Sequence, residues 1–236
     1  MSLNGLSKEP TTVGRHHPSY NWIALSILLI LAAGAALTLT SPGLAGLRNL
    51  LSRVFAADST QLFWYITRAA GVTAYLLLWL STAWGLVLPT KILDGWLGRT
   101  FTFDFHQFIS LLSLGFLGIH ILVLTADRYM PYTLAQIFVP FLSPYRPLWV
   151  GIGVLAFYLT ALVTVTFYLR QRIGMAAFRA IHTTSLLAYL GATAHGLMAG
   201  TDSSLPIALL MYLGSFLAIV FLTTYWLVWL RVKKVV

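Results

Sequence analysis

Six apolar runs, at 21–40, 61–88, 103–125, 148–169, 180–200 and 206–230, dominate the 236-residue sequence. Each approaches the roughly 20 residues that a helix needs to cross about 30 Å of hydrocarbon. Lipid offers the backbone no hydrogen-bond partners, so segments of this kind are confined to helices whose amides and carbonyls satisfy one another. The expected fold is therefore all-α, an integral membrane six-helix bundle. Trp22, Trp64, Trp149 and Trp229 fall near the ends of runs, where interfacial belts place them.

The remaining composition narrows the chemistry. Only 9% of residues are charged and mean hydropathy is +0.82, whereas soluble domains carry roughly 25% charge. The connections are too short for a soluble catalytic domain, so any chemistry belongs within or just outside the bilayer. The formal charge of +9 does not imply nucleic acid, because the basic residues sit in short connections where membrane topology accounts for them. Cysteine is absent, which excludes disulfides, thiolate iron-sulfur clusters and covalent haem attachment.

Sorting the connections by alternation puts Lys8, Arg15, Lys91, Arg99, Arg170, Arg172, Arg179, Arg231, Lys233 and Lys234 on one side. Arg48, Arg53, Arg128 and Arg146 fall on the other, and Arg68 lies inside a run. The positive-inside bias then predicts both termini in the cytoplasm of a multi-pass cell-membrane protein. Residues 1–20 read as a cytoplasmic tail that includes His16 and His17, and the first run is too long for a signal-peptide core. The segment 44–55 spaces its apolar residues at helical intervals and suits the outer interface. The prolines and aromatics of 127–147 suggest an ordered cover over the outer side.

Ionisable residues are costly in hydrocarbon and seldom lie there without a task. The third run carries His106 and His120, 14 residues apart, and the fifth carries His182 and His195, 13 apart. At about 1.5 Å per residue the separations are roughly 21 Å and 20 Å along the axis. Because the third and fifth runs point the same way, His106 shares a depth with His182 near the inner face, and His120 with His195 near the outer face.

A lone membrane histidine serves equally as a packing residue, a proton relay or a ligand; four at matched depths favour ligation. Two imidazoles facing each other leave four coordination positions that nothing nearby fills, and a porphyrin supplies four nitrogens. The expectation is two non-covalent haem b groups, with His106 and His182 on the inner iron and His120 and His195 on the outer. One difficulty attends the fifth run. On an ideal helix an offset of 14 leaves side chains about 40° apart, but an offset of 13 leaves them about 140° apart. A local distortion is expected there, eased by Gly191, or else approach from different sides.

Arg68, near the outer end of the second run, suits a haem propionate, and it suits snorkelling to phospholipid equally well. Arg99 and Arg179 stand in a similar relation to the inner haem, although topology already explains them. Gly71, Gly115, Gly118 and Gly191 imply close helix contact or room for a flat ring. Asp104 reads as an interfacial charge.

The stretches "YITRAAGVTAYLLL", "FHQ" with a second histidine 14 later in "LGIHIL", and "IHTTSLLAYLGATAHGLMAGTD" resemble the ferric reductase-like transmembrane domain family. That family includes membrane ferric reductases, NADPH oxidase haem domains and haem subunits of bacterial methionine sulfoxide reductase systems. The resemblance covers about 61–203 within a transmembrane domain at 21–236. It implies six helices around two b haems, the four histidines as their ligands in the pairing above, and Arg68 near the outer haem. Larger members carry flavin and nicotinamide domains. With none after Val236, the expected electron donor is a separate flavin or nicotinamide reductase or a membrane quinol.

The function implied is transmembrane electron transfer, as the haem-bearing component of an oxidoreductase, to an acceptor or redox partner protein at the outer face. Two other classes remain open: a transporter or proton channel using histidines as relays, and a non-enzymatic structural subunit of a membrane complex. The first calls for carboxylates deep within spans, and no Asp or Glu lies well inside a run.

Overall fold

The computed structural model describes residues 59–127, 130 and 132–235. The first apolar run and the amphipathic segment 44–55 lie outside the described residues. All the regular secondary structure among the described residues is helical, with no strand. The long helices are α1 (Ser59–Val87), α3 (Arg99–Leu124), α5 (Pro147–Ile173) and α8 (Pro206–Val235). Shorter helices are α2 (Asp94–Leu97), α4 (Leu134–Phe138), α6 (Met175–Thr183) and α7 (Ser185–Ala199). Four of them are long and apolar enough to cross a membrane, over Leu62–Thr90, Arg99–Leu124, Pro147–Ile173 and Pro206–Val232. The chain is thus a membrane protein in contact with lipid.

Large apolar side chains cover the outside of these helices. On α8, Leu210, Leu213, Leu217, Phe221 and Val228 are exposed, while Tyr212, Ser215 and Ile219 are buried. Spacings of three and four place the buried set on one stripe, as a helix with one face on protein and the rest in lipid requires. That stripe meets α1 and α7 in a core of Tyr75, Leu86, Tyr189, Tyr212 and Ile219. Lipid gives little hydrophobic drive for helices to associate, so hydrogen bonds and close packing hold them together. The Tyr75 hydroxyl lies 2.6 Å from Ser215 Oγ and 3.3 Å from both Tyr189 Oη and Thr193 Oγ1, tying α1, α7 and α8 at one point.

Helix α1 packs chiefly on α3, and α5 on α7. Ser113 Oγ donates to the Ala74 carbonyl at 3.0 Å, and Trp84 Nε1 to the Thr102 carbonyl at 2.9 Å, across the first of these seams. Between α5 and α6 the chain turns at Gly174, whose φ of 83° is open to glycine at no steric cost.

The fifth apolar run is two helices rather than one. The Thr184 N–H turns to the Ile181 carbonyl three residues back, at 2.9 Å, and its hydroxyl donates to the same oxygen at 2.6 Å. This is a 3-10 tightening supported by a threonine side chain bonding backward. A 3-10 turn advances about 120° per residue against about 100° in an α-helix, so the tightening at Thr184 reduces the ~140° offset between His182 and His195. The distortion falls at Thr184 and not at Gly191. Gly191 instead allows α7 to lie against α5, since a Cβ there would stand 3.1 Å from the Ala156 Cβ.

Candidate functional site

The four span histidines meet in two pairs across α3 and α6–α7. His106 faces His182 with ring centres 6.1 Å apart, and His120 faces His195 at 6.4 Å; the rings are crossed at 78° and 76°. An imidazole–metal bond is about 2.0–2.1 Å and a ring centre lies about 1.2 Å from its nitrogen, so trans ligands of one ion stand about 6.4 Å apart. Both pairs match that spacing.

Orientation matters as much as distance. His120 Nδ1 donates to the Thr67 carbonyl at 2.8 Å, and His195 Nδ1 to the Trp149 carbonyl at 3.0 Å. A carbonyl only accepts, so each ring carries its proton on Nδ1 and leaves Nε2 as a free lone pair, the arrangement usual for metal-ligating histidine. The carbonyl partners come from different helices, α1 and α5, which lie on either side of the pair. At the other level, His106 Nδ1 is 3.5 Å from Ser81 Oγ, and the Nδ1 of His182 has no hydrogen-bond partner among the described residues. His182 instead packs against Phe178, with ring centres 5.2 Å apart.

Three glycines make room for these rings. A Cβ at Gly71 would lie 2.8 Å from His120 Nδ1, one at Gly85 3.1 Å from His106 Cε1, and one at Gly153 2.5 Å from His195 Nδ1. Gly71 and Gly85 are 14 residues apart on α1, as His106 and His120 are on antiparallel α3. Sequence reasoning singled out Gly71 but missed Gly85 and Gly153. The repeated interval of 14 in two neighbouring runs was the available signal for Gly85. Gly115, by contrast, has open space where its side chain would be.

A cavity of about 340 Å³ opens at the His120–His195 level, within the ~300–1,000 Å³ of cofactor and small-molecule sites. Its deep wall includes Leu78, Ser113, Ala156 and Thr160, and its mouth Arg68, Tyr132, Gln136, Tyr145 and Asp202. Arg68 lies in that mouth paired with Asp202, its guanidinium 3.9 Å over the Trp64 ring. Its partner is thus a carboxylate of the chain itself, which the sequence reading did not anticipate.

The connection after α3 closes over this mouth. Thr133 and Gln136 form a capping box that starts α4. Tyr158 Oη donates to the Phe138 carbonyl at 2.5 Å, Tyr145 Oη to the Ala199 carbonyl at 3.2 Å, and Arg146 to the Met198 carbonyl. Where it is described, this connection is thus hydrogen-bonded to α5 and α7. Burial pushes the Tyr132 phenol above its usual range, so it stays a neutral hydroxyl at the rim, 3.2 Å from Ser143 Oγ.

Among the described residues, no group of three or more histidines or carboxylates is placed to hold a metal ion. Each level presents two imidazoles and no third side chain of ligating type among the described residues. Compared with family models, with curated proteins and with solved structures, the chain matches none of them.

Proposed function

We propose that this chain is a transmembrane electron conduit of the ferric reductase-like kind, holding two haem b groups between α3 and α6–α7. The observation that carries the reading is the pair of facing imidazoles at each of two depths, spaced 6.1 and 6.4 Å. His106 with His182, and His120 with His195, would hold such a group, and it would supply one-electron iron chemistry suited to electron transfer.

The chain's own part is to hold and insulate. Main-chain carbonyls of Thr67 and Trp149 aim His120 and His195, glycines 71, 85 and 153 clear space for three of the rings, and apolar walls exclude water. Arg68 stands at the cavity mouth, where a forked cation can exchange Asp202 for an acidic edge of the occupant. The run 21–40 completes six spans in this reading, with both termini cytoplasmic and the His106–His182 level inward. Arg172 and Arg179, exposed at that end, face a separate flavin or nicotinamide reductase or a quinol donor, and the acceptor or redox partner sits at the opposite face.

The test is purification in detergent followed by haem quantitation and reduced-minus-oxidised spectroscopy. Two b-type haems per chain support the proposal, and a haem-free chain that stays folded in haem-replete cells overturns it.

A further inference from the structure

Six threonines are buried among the described residues: Thr67, Thr82, Thr102, Thr160, Thr166 and Thr193. A threonine inside a helix can turn its hydroxyl back to the carbonyl three or four residues earlier. Five do so here: Thr82 to Leu78, Thr102 to Arg99, Thr160 to Ala156 and Thr193 to Tyr189, each at 2.8 Å, and Thr166 to Val163 at 3.0 Å. Thr67 Oγ1 is the exception, with no hydrogen-bond partner among the described residues. A buried hydroxyl left unbonded is destabilising, so the exception calls for a reason. Trp79 Nε1 and His182 Nδ1 are unpartnered too, but of the three residues only Thr67 lines the cavity at the His120–His195 level. Its carbonyl already serves that level by accepting from His120 Nδ1.

A second hydroxyl reaches the same cavity from α8. Tyr212 is buried, and its ring packs on Tyr75 with centres 4.9 Å apart. Its Oη nevertheless takes no part in the bonds that join Tyr75 to Ser215, Tyr189 and Thr193. Gly196 makes room for it: a Cβ there would collide with Tyr212 Oη and stand 2.9 Å from Cε1 and Cζ. Gly196 directly follows His195, and both line the cavity together with Tyr212.

We infer that the hydroxyls of Thr67 and Tyr212 are binding groups for the carboxylate arms of the occupant at the His120–His195 level. The inference rests on the haem reading. Of the groups that a b-type haem carries, the iron meets imidazole and the ring meets apolar walls, which leaves two carboxylate arms as acceptors for these donors. The nearby cation, Arg68, is already paired with Asp202. Two neutral donors therefore let the cavity take an anionic arm without a further buried charge on the protein.

Release of haem b into apomyoglobin from the full-length, loaded chain tests it, with the dimethyl ester of the same haem as the control occupant. Thr67→Val and Tyr212→Phe keep the side-chain shape and remove one hydroxyl each. Each should quicken one of the two release phases roughly tenfold, as loss of a hydrogen bond to a charged group does, and Thr67→Ser should restore retention. Neither substitution should change release of the ester, whose arms carry no charge. Thermal unfolding of the haem-free chain gives a second readout: Thr67→Val there leaves the melting temperature unchanged or higher, because it removes an unbonded hydroxyl. Release at the unsubstituted rate from either variant, equal quickening for haem and ester, or a lower melting temperature for the empty Thr67→Val chain overturns the inference. The two failures are distinct: a chain that takes up no haem overturns the parent reading and this inference with it, whereas two haems held as firmly by the variants as by the unsubstituted chain overturn this inference alone.

Discussion

A side chain at Gly71 would stand 2.8 Å from His120 Nδ1, so the glycine on α1 and the imidazole on α3 are two halves of one contact. Gly71→Ala is expected to push the ring off its hydrogen bond to Thr67 and release the occupant of that level. Gly153→Ala, at 2.5 Å from His195 Nδ1, does the same, and Gly85→Ala, at 3.1 Å from His106, does so less. Gly115→Ala meets nothing and is neutral or stabilising by up to about 1 kcal/mol through helix propensity. Haem content and thermal unfolding of the four variants check the ranking.

His120→Ala and His195→Ala are expected to cause one and the same lesion, because their rings face each other at 6.4 Å. Each single variant loses one haem, and the double variant loses no more than either. Combining His120→Ala with His106→Ala empties both levels. Spectra of the singles and doubles decide the pairing, and a double His120/His195 variant that loses both haems is the adverse result.

Asp202 is 43% exposed where it pairs with Arg68, and partly exposed ion pairs contribute about 1 kcal/mol or less. Asp202→Asn should therefore lower the melting temperature only slightly. Arg68→Ala should weaken retention of the occupant more than Asp202→Asn does, since it removes the cation from the cavity mouth. Dissociation rates into apomyoglobin give the comparison, and equal rates for the two variants count against a binding role for Arg68.

Tyr75→Phe removes a hydroxyl that lies 2.6 Å from Ser215 and within 3.3 Å of two more partners. Hydrogen bonds between membrane helices are worth about 0.6 kcal/mol on average and up to about 2 kcal/mol. A loss in that range is expected in detergent unfolding, and because Tyr75 also lines the His120–His195 cavity, any spectral change should be confined to that level. A change at the His106–His182 level instead is the adverse result.

Much of this arrangement is legible in the sequence because lipid leaves few choices. Long apolar runs fix the helices, and histidines at offsets of 14 and 13 on co-directional runs fix which ones meet. Other features were hidden because they depend on neighbours far along the chain. Gly191 looked like the point of distortion, yet a glycine tolerates distortion without causing it, whereas the Thr184 hydroxyl competes for the Ile181 carbonyl and does cause it. Arg68 offered no sign of its partner, since Asp202 lies beyond six intervening helices, α2 to α7. Gly153 reads as one small residue among many until α5 and α7 are brought together.

Gly71 and Gly85 on α1 repeat the interval of His120 and His106 on α3, and the match works like a two-toothed key. Sliding one helix a single turn along the other would bring a side chain against both imidazoles at once. One inserted or deleted residue between the teeth would swing one notch about 100° aside and leave the other in place. The α1–α3 seam therefore tolerates changes of side chain on its lipid face far better than changes of length, and natural variation in this stretch should come as substitutions without gaps.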